Sequence, residues 1–213
     1  MDCIYFLQAR LQLILKLYDS ASQPFRDTKA KIEKGEDPFI DTRNPEDVDE
    51  PAFLTEWQEA DNSLDVLGHL CLCFIQGSLK AYLEERINDI GRTFGTATSE
   101  ELKRRLAAKR GNWFEKYRLL FLEDLNIDWQ NSPVPIPDVE HLNLTRDDII
   151  HNVDLTTTNV GQTEQHAGRF PNGLFTDDMW AAMGIPGIIK VDAAKLQKAV
   201  EIVLQFCQFL ESG

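Results

Sequence analysis

Apolar side chains in the first part of the chain return at Ile4, Leu7, Leu11, Ile14 and Tyr18. Alternating steps of three and four residues mark one buried face of an α-helix. Leu13, Leu15 and Leu17 widen that stripe and predict neighbours on two sides. Pro24 predicts a kink or break, after which TKAKIEKGE continues the helix to a stop at Gly35. Residues 36–51 are acidic, carry Pro38, Pro45 and Pro51, and read as a solvated connector. A second long helix is expected over about 52–90, with Leu64, Leu67, Leu70, Cys71, Phe74, Tyr82 and Leu83 on one side and Gly91 ending it. Ser99-Glu100-Glu101-Leu102 resembles a capped start for a third helix running toward Asp124.

The proline-broken stretch NSPVPIPD, residues 131–138, leads to EHLNLTRDDIIHNVD. There a short helix is expected, capped by Thr145 and Asp148 and pinned to the core by Ile149 and Ile150. Residues 154–191 show no helical period and many turn formers, with Gly187–Val191 strand-like and able to form one short hairpin. Asp192 then caps a last helix with Leu196, Val200, Val203, Leu204, Cys207 and Leu210 on its apolar face. The pattern predicts an all-α protein, an up-and-down bundle of four to five helices in one domain over residues 1–213, with a loop-rich insertion before the last helix.

Charge narrows the function classes. The 22 Lys and Arg against 35 Asp and Glu leave −13, so a protein that coats duplex nucleic acid through a basic face is excluded. Cations concentrate only over residues 101–118, where Lys103, Arg104, Arg105, Lys109, Arg110, Lys116 and Arg118 face Glu101 and Glu115 alone. That segment either grips RNA, with Lys103, Arg104 and Arg105 as contacts, or forms a solvated face whose charges offset nearby acids. Trp113 and Phe114 within it either stack on bases or are buried.

The most apolar stretch, Leu64–Leu83, is interrupted by Asp65, His69, Gln76, Ser78 and Lys80, so no membrane span is expected. The N-terminus carries Asp2 and no basic run, which argues against a secretory signal. Cys3, Cys71, Cys73 and Cys207 read as free thiols of a cytoplasmic protein, and Cys71-x-Cys73 is too short for a zinc site.

Catalytic patterns are few. Glu-x-x-His, a Gly-rich phosphate loop and a Gly-x-Ser-x-Gly elbow are missing, so neither a metal nor a cofactor is expected. His69 falls on an apolar stripe, which suits a packed, hydrogen-bonded side chain. His141 and His166 stand in polar surroundings with no second ligand at metal spacing. His151 differs because Arg146 precedes it by five residues in Arg146-Asp147-Asp148-Ile149-Ile150-His151-Asn152. A fixed cation and a group that titrates near neutrality are what metal-free phosphodiester cleavage requires. Residues five apart on a straight helix point about 140° from each other. Either the helix ends at His151 and turns the ring aside, or two copies meet to complete a site.

LNLTRDDIIHN resembles the hallmark of the HEPN superfamily: Arg, a polar residue, three further residues, then His and often Asn. The order of long helices, motif helix and closing helix is also similar to that family. The resemblance implies a metal-independent endoribonuclease of a toxin or antiviral system, whose 2′-hydroxyl nucleophile leaves a 2′,3′-cyclic phosphate on single-stranded RNA. It implies a homodimer with Arg146 and His151 of both subunits lining one cleft, and an antitoxin or defence-system protein as a further partner. Asp147 occupies the polar slot and either orients Arg146 and His151 or is only a helix acid. Asn152 is either an RNA contact or a helix C-cap. Val153 stands where a subset of such toxins carries a modified tyrosine, so that control is not expected. Two alternatives stand beside the enzyme: a HEPN-like module that binds nucleotide or RNA, or dimerises, without cutting, and a helical interaction protein with structural Arg146 and His151.

Overall fold

The computed structural model describes residues 2–43, 50–94, 96–152, 157–170, 173–176 and 187–212, with side chains left aside at 91–94 and 96–97. The Val153 position lies outside them, as does part of the predicted 154–191 insertion. The described chain is all-α. Its helices are α1 (Cys3–Lys34), α2 (Leu54–Phe94), α3 (Thr96–Ala108), α4 (Trp113–Leu125), α5 (Ile136–His151), α6 (Glu164–Arg169) and α7 (Ala193–Ser212). Seven described helices exceed the expected four to five, because one predicted helix divides in two and another forms where irregular chain was expected.

Helix α1 starts with the Asp2 carboxylate accepting from the Tyr5 N–H at 2.9 Å and ends at Gly35, whose φ of 64° closes the C-cap. Pro24 does not break it. The ring sits on the exposed side, where the carbonyl it frees meets water. Leu7, Leu11, Ile14 and Tyr18 are buried as expected. Leu13 and Leu17 are exposed, whereas Leu15 is partly buried against the core, and α1 has helical neighbours in both α2 and α7.

Helix α2 runs past Gly91, which does not end it. Its buried face is Cys71, Leu72, Ile75, Leu79, Tyr82, Leu83 and Ile87. Leu70 and Phe74, expected on that face, are instead 52% and 50% exposed. Over Leu54–Ile90 this helix is long and apolar enough to cross a membrane by length and composition, yet 56% of its most apolar window is buried against the rest of the protein. That is the pattern of a core helix.

Helices α1, α2 and α7 pack against one another to form the centre of the core. The Tyr82 hydroxyl donates to the Cys207 carbonyl at 3.0 Å, fixing α7 on α2. Asp192 caps α7 as predicted, accepting from the Lys195 N–H at 2.8 Å. Ser99 is buried inside α3 and caps nothing. The expected third helix breaks at Gly111, whose φ of 105° disfavours any other residue, and Asn112 caps a separate α4. Trp129 follows in a short 3-10 turn, with ring centroids 5.1 Å from Phe114 and 4.9 Å from Phe206. This aromatic cluster ties α4 to α7, and Phe114 is committed to the core.

No strand forms among the described residues. Gly187–Val191 makes isolated bridges, Gly161 with Ile188 and Thr176 with Ile189, and not the expected hairpin. This segment lies flat on α2. His69 Nε2 meets the Ile189 carbonyl at 3.0 Å, Lys190 pairs with Asp65, and Gly68 leaves room for the Val191 carbonyl. His69 is therefore the buried, hydrogen-bonded residue its position predicted.

Candidate active site

The motif stands on α5, which begins at Ile136 with Pro137 in its first turn, where a missing N–H costs nothing. Thr145 and Asp148 thus lie well inside the helix and do not cap it. The Thr145 hydroxyl donates to the His141 carbonyl at 2.8 Å, and Asp148 is buried. Ile150 is an exposed apolar residue and does not pin the helix, whereas Ile149 packs on the core. Helix α5 crosses the middle of α2, held there by a buried bond from Gln76 Nε2 to Asn143 Oδ1 at 3.0 Å.

Arg146 is half-buried and pairs with its neighbour, Nη1 lying 2.8 Å from Asp147 Oδ1. His151 is the last helical residue and is exposed. The Asn152 N–H still bonds to the Asp148 carbonyl at 2.9 Å, so the helical register is intact through His151. The Cβ directions of Arg146 and His151 accordingly diverge by about 140°. The helix ends at His151, as one of the two alternatives required. Asn152 is the C-cap, and its Nδ2 donates to Asp148 Oδ1 at 3.2 Å and to the Gly161 carbonyl at 3.3 Å.

The floor beside the motif is α2. Burial pushes the Cys73 thiol up to about 11, with Arg146 opposing that rise and Asp147 adding to it, so this side chain lies within electrostatic reach of the motif. A thiol held protonated in this way is no nucleophile. Val66, Leu70 and Phe74 recur every four residues along α2 and leave an exposed apolar stripe on the same part of the helix as Cys73.

The basic segment is brought to acids. Lys103 pairs with Glu100 and Arg104 with Glu101; Arg105 bridges Glu101 and Asp124, and Lys109 pairs with Glu123. Arg118 grips Glu115 at 2.6 Å. None of these described pairs joins the segment to Arg146 or His151, and the paired Lys103, Arg104 and Arg105 stay exposed at the surface.

The structure brings together a second group that sequence reasoning missed. Asp148 Oδ2 lies 2.5 Å from His166 Nδ1 and accepts from the Thr163 N–H at 3.3 Å. The His166 ring sits 5.0 Å from that of His141, which in turn stacks on Phe170 at 4.9 Å. Both histidines are 2% exposed, so the polar partners the sequence suggested are met inside the protein and not at its surface. Burial first, then the nearby His166, pushes the His141 imidazole down to about 4. Its Nδ1 accepts from the Leu174 N–H at 3.3 Å. Asp148 and His166 are 18 residues apart in two different elements, and no local spacing announces such a contact.

Among the described residues no group of three or more His, Cys, Asp or Glu side chains is arranged to hold a metal ion. Comparison with family models, with curated proteins and with solved structures finds no match for the chain.

Proposed function

We propose that the chain is a HEPN-like, metal-independent endoribonuclease that works as a homodimer in a toxin or antiviral setting within the cytoplasm. One observation carries the reading: a permanent cation and an imidazole share the last turns of one helix, both reached by solvent. Divergence of the two side chains argues for two copies meeting about a two-fold axis, since one protomer cannot aim both groups at a single phosphate. The stripe of Val66, Leu70 and Phe74 is a surface on which such a partner can pack.

In this reading an imidazole takes the proton of the 2′-hydroxyl, whose oxygen attacks the adjacent phosphorus. The bond from phosphorus to the 5′-oxygen breaks, and the other protomer's imidazole returns a proton to that oxygen. Arg146 stabilises the charge on the non-bridging oxygens. Asp147 holds Arg146 by its ion pair until phosphate competes for the guanidinium. The products are a 2′,3′-cyclic phosphate and a 5′-hydroxyl. RNA and a second copy of the chain are the partners this chemistry needs, and a basic antitoxin or defence-system protein would suit the net charge of −13.

A second reading is a HEPN-like module that binds RNA or nucleotide, or dimerises, without cutting. The Arg146–Asp147 pair favours it, because the one cation of the motif already has a carboxylate partner. Incubation of single-stranded RNA with EDTA separates the two. Wild type yielding cyclic-phosphate ends, with Arg146→Ala and His151→Ala folded but inactive, supports the enzyme. Folded, dimeric wild type that cuts nothing supports the binding module, and equal cleavage by all three removes both residues from the chemistry.

A further inference from the structure

A carboxylate buried in the C-terminal turn of a helix is doubly disfavoured. It is removed from water, and the helix dipole presents its negative end there. Asp148 occupies such a position and is 5% exposed. Three donors converge on it: His166 Nδ1 at 2.5 Å, Asn152 Nδ2 at 3.2 Å and the Thr163 N–H at 3.3 Å. The first comes from α6, the second from the residue directly after His151, and the third from the N-cap of α6. Asn152 also donates to the Gly161 carbonyl at 3.3 Å, so the residue after His151 is tied to Asp148 and to the following loop together.

We propose that Asp148 and His166 are positioning residues that fix the end of α5, and with it His151 and the Asn152 cap, for the reaction at Arg146 and His151. The inference rests on the ribonuclease reading for the reaction it serves. The tie runs through a hydrogen bond and not through volume. His166 Nδ1 points its proton at the carboxylate, while the stacked His141 and Phe170 rings hold the imidazole plane. Removing the donor leaves a buried anion at a helix C-terminus with two weaker partners, and the last turn of α5 loosens to let water reach it. His151 then samples several orientations, which slows proton transfer without touching the phosphate grip of Arg146.

Two substitutions separate a hydrogen-bond role from packing. Asparagine in His166→Asn carries its amide nitrogen where Nδ1 stood and still reaches Asp148, whereas His166→Leu fills space and donates nothing. Amide hydrogen exchange at His151 and Asn152 reads the positioning directly, and steady-state cleavage reads its consequence. His166→Leu is expected to speed exchange in this turn about tenfold, leaving α2 and α7 amides unchanged, and to lower kcat about tenfold at constant KM. His166→Asn is expected to restore both within about threefold. Should the leucine variant fail to fold, His166→Gln takes its place, because its amide reaches the Nε2 position and misses the carboxylate. Unchanged protection in a folded His166→Leu overturns the proposal, and so does recovery by leucine but not by asparagine. If wild type cuts no RNA, the ribonuclease reading falls, and the exchange data still decide whether Asp148 and His166 fix the end of α5.

Discussion

Adding one methyl group at Gly68 tests how the 187–191 segment sits on the helix beneath it. A Cβ built there falls 2.0 Å from the Val191 carbonyl oxygen and 3.0 Å from its carbon, where ordinary contact begins at 3.4 Å. The carbonyl must therefore retreat by 3.4 − 2.0 = 1.4 Å, and it is backbone, with no flexible end to swing away. Its neighbours are anchored on the same helix, Ile189 through His69 and Lys190 through Asp65, so retreat stretches both attachments. Replacing glycine by alanine in a helix stabilises by roughly 1 kcal/mol. Against this stand an overpacking cost of about 1–3 kcal/mol and roughly 1 kcal/mol for the strained His69 bond. Gly68→Ala should thus destabilise by about 1–3 kcal/mol, a fall of roughly 4–8 °C in Tm at the middle of that range. Gly77, nine residues on in the same helix, has nothing within 4 Å of its added Cβ. Gly77→Ala should stabilise by roughly 0.5–1 kcal/mol. Urea unfolding at two protein concentrations measures both and separates helix stability from any effect on dimerisation. Equal stabilisation by the two substitutions would show that the segment does not lie on Gly68.

The depressed His141 pKa gives a pH dependence. Above its ordinary value of 6.5 both folded and unfolded forms are neutral; between 6.5 and about 4 only the unfolded chain takes up the proton, so stability falls as pH falls through that window. Burial of His69 acts in the same direction, and His141→Phe should flatten the slope between pH 7 and 5, an expectation that an unchanged slope in chemical unfolding would refute. Trp129→Ala empties the centre of the aromatic cluster and should cost about 3–5 kcal/mol by denaturant titration. Leu70→Glu places a charge on the exposed α2 stripe and should convert a dimer to monomer in sedimentation while leaving the helical spectrum intact. Because Lys103, Arg104 and Arg105 are held by acids, changing all three to Gln should alter RNA affinity less than about twofold, whereas phosphate contacts would show as a shallower salt dependence.

Periodicity made the long helices legible, because α1, α2 and α7 bury one face each and their apolar residues keep time with the helical turn. Boundaries depended on chemistry that tertiary context overrode. Pro24 and Gly91 are tolerated within helices whose packing outweighs a single poor residue, while Gly111, in the turn between α3 and α4, takes a φ of 105° that is open to few others. The stripe at Leu70 and Phe74 could not be assigned from sequence, since exposed and buried apolar residues look alike until the neighbours of α2 are known. Arg146 and His151 were visible because they lie five apart on one element. The contact of Asp148 with His166 was not, for it exists only once α6 folds back onto α5.

The packing of α7 against both α1 and α2 also sets an order of events during synthesis. The chain leaves the ribosome from its N-terminus, so α1 and α2 emerge long before residues 193–212 that complete their shared core. Leu11, Leu72, Ile75 and Leu79, all fully buried in the finished protein, belong to one core with Leu196, Val203 and Phe206, which are made last. Helix α5, with Arg146 and His151, is made within that interval. A nascent chain therefore presents the motif on an unclosed body, and cooperative folding of the core waits for the last helix.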